Sequence, residues 1–252
     1  MAGVNPTGEK AGRFGVRTDT PMDTQPILTP YYQDDLVVIY HGDCRELLPS
    51  IEADVIVTDP PYGIDWGLHG KGRKGKMRGS RLHSGIVGDK DTSMRDAVLD
   101  WWGDRPAVVF GTWRAEKPAH TYQALIYQKT FDTGIVGATT GYRNDWEMVF
   151  LTGRWPVRNA AWSGVLRSAV ALNSRGGIQD IGHPHAKPLD VMVPLIQRCP
   201  PGTILDPFMG SGTTLVAAKS LNRHAIGIEI EERYCEMAAR RCSQGVLGLE
   251  TA

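Results

Sequence analysis

The sequence has 252 residues, 41% of them hydrophobic, and 28 basic residues (Lys and Arg) balance 28 acidic ones. This length favours one domain with a large buried core, and the zero net charge means that any phosphate-binding surface must be local. No stretch approaches the length of a transmembrane helix and no signal-peptide pattern is present, so we expect a cytoplasmic protein without a membrane partner. The four cysteines have no C-x-x-C spacing, which favours reduced thiols over zinc or disulfides.

The amino-acid composition of the chain changes near residue 30. Residues 1–30 contain Gly, Pro, Thr and mixed charge without periodicity, and we predict a disordered or loosely packed arm. An apolar run at residues 36–41 then predicts the first strand of a domain that spans residues 31–245. Asp43 follows this strand, where it can cap the next helix.

A second apolar run, at residues 55–58, predicts a buried strand that Asp59-Pro60-Pro61-Tyr62 ends abruptly. In an open α/β sheet, ligands bind beyond the carboxyl ends of the strands, so Asp59 and Tyr62 are placed where chemistry usually occurs. A carboxylate, backbone carbonyls and an aromatic ring suit an exocyclic amine on a planar ring. The alternative is an ordinary Pro-Pro turn with an N-cap aspartate.

Residues 66–88 form a glycine-rich, cationic loop that contains no acidic residue. A loop of this kind can follow a phosphate backbone, and the alternative is a solvated insertion. We predict that its basic residues bind nucleic acid: Lys71, Arg73, Lys74, Lys76, Arg78 and Arg81.

The α/β pattern continues through the middle of the chain. A helix is predicted over residues 91–102, and strands over residues 107–111, 122–129 and 146–152. Residues 153–182 have no clear period and interleave arginines with Trp155 and Trp162. This composition is compatible with nucleic-acid contact or with ordinary amphipathic packing.

Residues 183–188, His-Pro-His-Ala-Lys-Pro, precede a helix predicted over residues 189–198. No carboxylate or thiol lies nearby in sequence to complete a site with the His-x-His pair, so we predict no metal. The ammonium of Lys187 and the N–H groups at the helix start suit a carboxylate ligand.

A second ligand-binding pattern occupies residues 203–214. Its strand leads into the turn Asp206-Pro207-Phe208-Met209-Gly210-Ser211-Gly212-Thr213, whose glycines allow close backbone approach at a helix N-terminus. The next predicted strand, residues 224–229, ends in Glu229, a carboxylate placed to bind ribose hydroxyls. A final helix is predicted over residues 231–241, and residues 246–252 are predicted to be a frayed tail.

These two motifs resemble those of S-adenosylmethionine-dependent DNA amino-methyltransferases, which methylate adenine N6 or cytosine N4. Residues 59–62 match the catalytic motif and residues 206–213 the cofactor motif, in the order of the family's β group. The resemblance covers about residues 36–242. It implies an α/β fold with a Rossmann-like seven-stranded methyltransferase sheet and permuted motif order, mostly parallel with one antiparallel strand; seven strands are predicted here.

The resemblance also implies a role for each cofactor residue. Asp43 would contact the adenine of S-adenosylmethionine, Lys187 would lie near its methionine part, and Glu229 would hold its ribose. Phe208 would pack against the adenine above a turn that Asp206 shapes. The remaining predicted cofactor residues are Pro207, Gly210, Ser211, Gly212 and Thr213.

The family resemblance further implies double-stranded DNA as the substrate, and it is compatible with a homodimer and with a restriction enzyme as partner. Residues 153–182 occupy the place of the target-recognition segment. They are short for that task, and the loop 66–88 is an alternative segment for recognising the DNA sequence.

The chemistry that follows is direct methyl transfer to a flipped base. Asp59 and the Pro60 carbonyl would accept both amino hydrogens, and Tyr62 would stack on the base. Asp rather than Ser at the first motif position favours adenine N6, with cytosine N4 and a catalytically inactive DNA-binding relative as alternatives. The motif order disfavours protein-glutamine methyltransferases, and the glycine turn disfavours nucleotide hydrolases and dehydrogenases.

Overall fold

The computed structural model describes residues 28–64, 88–130, 141–156, 161–169 and 186–244. The predicted arm (except residues 28–30) and the predicted tail lie outside these ranges. The strands are β1 Tyr32–Gln33, β2 Val37–His41, β3 Val55–Thr58, β4 Ala107–Gly111, β5 Thr121–Gln128, β6 Trp146–Thr152, β7 Val165–Arg167, β8 Ile204–Asp206 and β9 Ala225–Glu229. The helices are α1 Cys44–Leu47, α2 Ser93–Trp102, α3 Leu189–Arg198, α4 Thr213–Ser220 and α5 Glu232–Ser243.

The described strands form one sheet in the order β1-β2-β9-β8-β3-β4-β6-β5-β7. Strands β2, β9, β8, β3 and β4 are mutually parallel, and β6 is antiparallel to both of its neighbours. The α/β fold with a permuted methyltransferase sheet is therefore confirmed, and all seven predicted strands are present. Two edge strands, β1 and β7, extend the sheet to nine strands; at two and three residues they are too short to show a period in the sequence.

The central strands are apolar because both faces of the sheet are covered. In β3, Val55 and Val57 pack into one cluster with α3, α4 and α5, while Ile56 packs into a second cluster with α1 and α2. All three side chains are fully buried. Successive side chains of a strand point to opposite faces, so a run of β-branched residues forms the middle of a three-layer structure.

The strand order brings the two sequence motifs together. Strand β8 pairs in parallel with β3, with Val55 opposite Ile204 and Ile56 opposite Leu205. Thr58 and Asp206 are 148 positions apart in sequence, yet their side chains are hydrogen-bonded at 2.7 Å. The carboxyl ends of β3 and β8 therefore open onto the same edge of the sheet.

Disulfides, metal sites and membrane-spanning helices were the other features to look for in the described residues. The four cysteines are free thiols and all are buried. Within the described ranges, no three His, Cys, Asp or Glu side chains cluster as a metal site would require, and His183 and His185 lie outside those ranges. None of the described helices is both long enough and apolar enough to cross a membrane.

Candidate active site

A cavity of about 400 Å³ lies at the carboxyl ends of β2, β9, β8 and β3. Its walls come from both motifs, so the catalytic and cofactor residues predicted from the sequence meet in one place. The predicted residues that line it are Asp43, Asp59, Pro60, Pro61, Tyr62, Lys187, Asp206, Pro207, Phe208, Gly210, Ser211, Thr213 and Glu229.

Gly212 is the predicted cofactor residue that does not line this cavity. It is the N-cap of α4, with a φ of +77°, and a Cβ built there would lie 2.7 Å from the Cβ of Ala238 on α5. The glycine therefore permits close packing between two helices. Its contribution to a ligand site is the placement of the α4 N-terminus.

Asp206 ties the two central strands to the glycine turn. Its carboxylate accepts hydrogen bonds from the Thr58 hydroxyl at 2.7 Å, the Thr214 hydroxyl at 2.5 Å and the Phe208 N–H at 3.2 Å. The residue is 2% exposed, and this burial raises its pKa to about 6. Asp206 is thus buried beneath the cavity, where it connects the end of β3 to the glycine turn and to the start of α4.

Glu229 closes the turn from the end of β9. Its Oε2 accepts the Gly210 N–H at 2.9 Å and its Oε1 accepts the Glu231 N–H at 2.9 Å. Burial raises the pKa of this carboxyl. Each carboxylate oxygen has a second lone pair, so Glu229 can still accept hydrogen bonds from a ligand in the cavity.

Asp43 has the capping role that the sequence left open. It is the N-cap of α1 and accepts the Arg45 N–H at 2.9 Å. The Arg45 guanidinium, 2.5 Å away, lowers the pKa of this carboxyl. Asp43 also lines the cavity, and its contact with a cofactor adenine stays a prediction.

Both oxygens of the Asp59 carboxylate have partners. The Tyr62 hydroxyl donates to Oδ1 at 2.7 Å, and the Lys187 ammonium donates to Oδ2 at 2.6 Å. Burial raises the pKa of the Tyr62 phenol well above its usual value, and the charge of Asp59 adds to that shift. Lys187 was predicted beside the methionine part of the cofactor; in the structure its charge is paired with Asp59.

Glu147, on β6, ends the run of residues 142–147, which in sequence resembles a segment that helps line the target-base pocket; it lines the cavity, although no individual role was predicted for it. Its Oε2 lies 3.2 Å from the Lys187 ammonium and 3.3 Å from the Tyr62 hydroxyl, and its Oε1 lies 2.5 Å from the Lys129 ammonium. Burial alone would raise the pKa of Glu147, but the two lysines hold it well below its usual value. The available signal was an acid within an otherwise apolar strand.

The four charged side chains around Lys187 and Glu147 have no net charge. Burial disfavours an ammonium at Lys187, yet Asp59 and Glu147 together raise its pKa above the usual value. With Lys129 as the second cation, two carboxylates face two ammonium groups. We call Asp59, Lys129, Glu147 and Lys187 the charge cluster.

Asp89 fixes the backbone immediately after the catalytic motif. Its Oδ1 accepts the N–H of Gly63 at 2.8 Å and that of Ile64 at 3.4 Å, and the residue is 3% exposed. Residues 64 and 88 flank the range 65–87, which lies outside the described residues. The chain on both sides of that range is therefore joined by one carboxylate.

The predicted DNA-binding residues Lys71, Arg73, Lys74, Lys76, Arg78 and Arg81 lie outside the described residues. The segment 153–182 is described only at residues 153–156 and 161–169. Their roles therefore stay predictions.

Comparison with known proteins finds DNA methyltransferases among the matches. A family model described as DNA methylase, of the N6/N4 methyltransferase type, matches residues 142–240. The type II methyltransferase M.ScaI of Streptomyces caespitosus is 26% identical over 266 residues, covering 84% of this chain and 83% of its own.

Solved structures share the fold. The crystal structure of the M1.HpyAVI–SAM complex has a TM-score of 0.58 at 21% identity, covering 82% of this chain and 98% of that one. The cytosine-N4-specific PvuII DNA methyltransferase has a TM-score of 0.57 at 18% identity, covering 88% of this chain and 90% of its own.

Proposed function

We propose that this chain is an N6/N4 DNA methyltransferase, and that it transfers a methyl group from S-adenosylmethionine to adenine N6 in double-stranded DNA, at specific sites and after base flipping. One observation carries this proposal. The Asp59 carboxylate and the Gly210 turn come from distant parts of the chain and line the same cavity. A reaction that joins a flipped base to a bound cofactor requires that arrangement.

The residues around the glycine turn fit S-adenosylmethionine. Phe208 and Ile230 offer apolar surface for an adenine ring, and Glu229 retains lone pairs for ribose hydroxyls. The cavity volume lies within the range of about 300–1,000 Å³ that is typical of small-molecule sites. When bound, the cofactor supplies an activated methyl group on a sulfonium centre.

The catalytic motif fits an exocyclic amine. Such a nitrogen is a poor nucleophile because its lone pair is delocalised into the ring. Hydrogen bonds from its two N–H groups to the Asp59 carboxylate and the Pro60 carbonyl favour a pyramidal nitrogen, whose lone pair then points away from the ring plane. Tyr62 provides an aromatic face for the flipped base.

Adenine N6 is preferred over cytosine N4 because the motif begins with Asp59 rather than with Ser. The cytosine-N4 enzyme among the structural neighbours makes cytosine N4 the alternative. Duplex DNA incubated with the protein and the cofactor is digested to nucleosides and analysed by mass spectrometry. We expect N6-methyladenine; N4-methylcytosine would overturn the base assignment. Long-read detection of modified bases in an expressing host would then give the recognition site.

A DNA-binding relative without turnover is the other candidate. Labelled cofactor and duplex DNA separate the two cases, because binding without label transfer would favour that relative. M.ScaI is a type II methyltransferase, which supports a search for a restriction enzyme as partner.

The basic residues of the loop 66–88 support a DNA-binding role for that loop. Replacing Lys71, Arg73 and Lys76 with Gln should weaken DNA binding and reduce the slope of log K against log salt by about one for each phosphate that these side chains neutralise. Fluorescence anisotropy at several salt concentrations measures this slope. An unchanged slope would show that the loop does not contact phosphate.

A further inference from the structure

The ammonium of Lys187 lies between two carboxylates, and its side chain is only 10% exposed. It is 2.6 Å from Asp59 Oδ2 and 3.2 Å from Glu147 Oε2. In the described part of the chain, these are the carboxylates within ion-pairing distance of Lys187. A buried ammonium is costly unless it is paired, so the position of Lys187 depends on both.

This arrangement weakens Asp59 as the acceptor for a target amine. Oδ1 already accepts the Tyr62 hydroxyl and Oδ2 already accepts the Lys187 ammonium, so an incoming amine would have to share one of these oxygens through its second lone pair. An ammonium 2.6 Å from Oδ2 competes directly with an incoming N–H, because a charged donor makes a stronger hydrogen bond than a neutral amine.

Glu147 offers a place for the ammonium that is already within reach. Lys187 can shorten its 3.2 Å contact with Oε2 as it lengthens its contact with Asp59, so it remains paired throughout. Glu147 is itself fixed, because Lys129 holds its Oε1 at 2.5 Å and its backbone lies in β6 opposite Tyr127 of β5. A fixed second counter-ion makes a short ammonium movement inexpensive.

We propose that Glu147 is a positioning residue that receives the Lys187 ammonium when the target amino group takes its place on Asp59. This inference rests on the proposed function of the same site. Glu147 acts on the reaction through Lys187 and does not touch the reacting atoms. Lys129 supports it by holding the other oxygen.

The test is the substitution Glu147→Gln, which keeps the size of the side chain but removes its charge and replaces one acceptor oxygen with an NH2 donor. Lys187 then has Asp59 as its remaining counter-ion among the described carboxylates and should bind it more tightly. We expect kcat for methyl transfer to fall about 30-fold, while the dissociation constants for S-adenosylmethionine and for DNA change less than about twofold.

The control is Glu236→Gln, which removes an exposed ion pair with Arg240 on α5, far from the charge cluster in sequence. It should leave kcat unchanged. Glu147→Asp keeps the charge on a shorter side chain, so it should recover part of the lost kcat. Lys129→Met should lower kcat about fivefold, because Glu147 loses its anchor.

A double-mutant cycle separates this role from a general structural one. In a Lys187→Met background there is no ammonium to receive, so Glu147→Gln should change kcat less than about twofold. If its effect is as large there as in the wild type, Glu147 does not act through Lys187 and the proposal is wrong. If Glu147→Gln is insoluble, Glu147→Asp and Lys129→Met are measured in the same background.

Two further outcomes would also overturn the inference. A rise in the cofactor dissociation constant with unchanged kcat would place Lys187 on the cofactor instead of on Asp59. An unchanged kcat in Glu147→Gln would remove any role in turnover. Failure of the proposed function is distinct, because in that case the wild-type protein itself would transfer no methyl group to DNA.

Discussion

The two sides of the cavity are built in different ways. On the cofactor side, most polar contacts span fewer than 20 positions, as from Asp206 to Phe208 and Thr214 and from Gly210 to Glu229. The exception is the hydrogen bond from Thr58 to Asp206, which spans 148 positions. On the catalytic side, the charge cluster takes its four members from four separate segments of the chain. The cofactor side is therefore mostly built within one stretch of the chain, residues 206–231, whereas the charge cluster exists only after distant segments have been brought together by the sheet.

This difference teaches which kind of change each side tolerates. The cofactor turn depends on glycines that leave room for tight packing, so an added methyl group should damage it. The charge cluster depends on balanced charge, so a substitution that preserves size but removes charge should damage it. The following changes separate the two sides, from the largest expected effect to the smallest.

Asp59→Ala should affect the catalytic side alone. Methyl transfer should fall by about a thousandfold or more, because the acceptor for the target amine is removed. The affinity for S-adenosylmethionine should stay within a few-fold of the wild type, as the glycine turn is untouched. Labelled-methyl transfer and calorimetric titration measure the two quantities. A variant that keeps most of its turnover would contradict the role assigned to Asp59.

Gly227→Ala should damage the cofactor side. A Cβ built at Gly227 would lie 2.4 Å from Met209 Sδ and 2.8 Å from Leu215 Cδ1, so these two buried side chains, one of them in the turn, would have to shift. Overpacking of this kind costs about 1–3 kcal/mol, and cofactor affinity should fall with the free energy of unfolding. Gly164→Ala is the control, because its nearest atom would be 3.9 Å away. Equal behaviour of the two variants would show that close packing at the turn is unimportant.

Asp206→Asn should change how stability depends on pH. Burial raises the pKa of Asp206 to about 6, so between about pH 4 and pH 6 the folded protein holds a proton that the unfolded chain releases. This residue therefore lowers the free energy of unfolding as pH rises, by about 2 kcal/mol between pH 4.5 and pH 7.5.

The variant lacks this carboxyl. The difference in the free energy of unfolding between the variant and the wild type should therefore change by about 2 kcal/mol between pH 4.5 and pH 7.5. Urea unfolding at both pH values measures the shift. Asp100→Asn, at an exposed acid on α2, is the control and should track the wild type. Parallel pH curves for Asp206→Asn and wild type would rule out the raised pKa.

Lys219→Met should have the smallest effect and should spare both sides of the cavity. Lys219 on α4 pairs with Asp34 at 2.5 Å and donates to the Cys242 carbonyl at 2.9 Å, which joins the first hairpin to α4 and α5. We expect a loss of about 1 kcal/mol in the free energy of unfolding, with methyl transfer unchanged. The matched control is Arg240→Gln at an exposed pair. A loss of turnover in Lys219→Met would mean that α4 transmits strain to the site.

The contrast between the two sides also explains how far the sequence could lead. The glycine turn and the catalytic tetrapeptide are each one uninterrupted stretch of sequence, so each could be recognised, and the family resemblance predicted that they share a cavity. The resemblance also placed the run of residues 142–147 near the target base, but the contacts of Glu147 itself were not predictable. They depend on the antiparallel register of β5 and β6, which places Glu147 opposite Tyr127 and near Lys129, and no local pattern specifies that register.

The partner of Lys187 is a second contact between residues that are distant in sequence. The charge of Lys187 and its place before α3 suited a carboxylate ligand, and the family resemblance placed it near the methionine part of the cofactor; that position stays a prediction. The structure pairs it with Asp59, which lies 128 positions earlier in the chain. This pairing was not predictable, because it forms only when the fold brings the two segments together.

The carboxylate of Asp89 has a consequence for grafts into this chain. By holding Gly63 and Ile64 it closes a stem at the point where the chain leaves the catalytic motif and returns. A graft that replaces residues 65–87 and keeps Asp89 should therefore retain these two hydrogen bonds at the end of the catalytic motif.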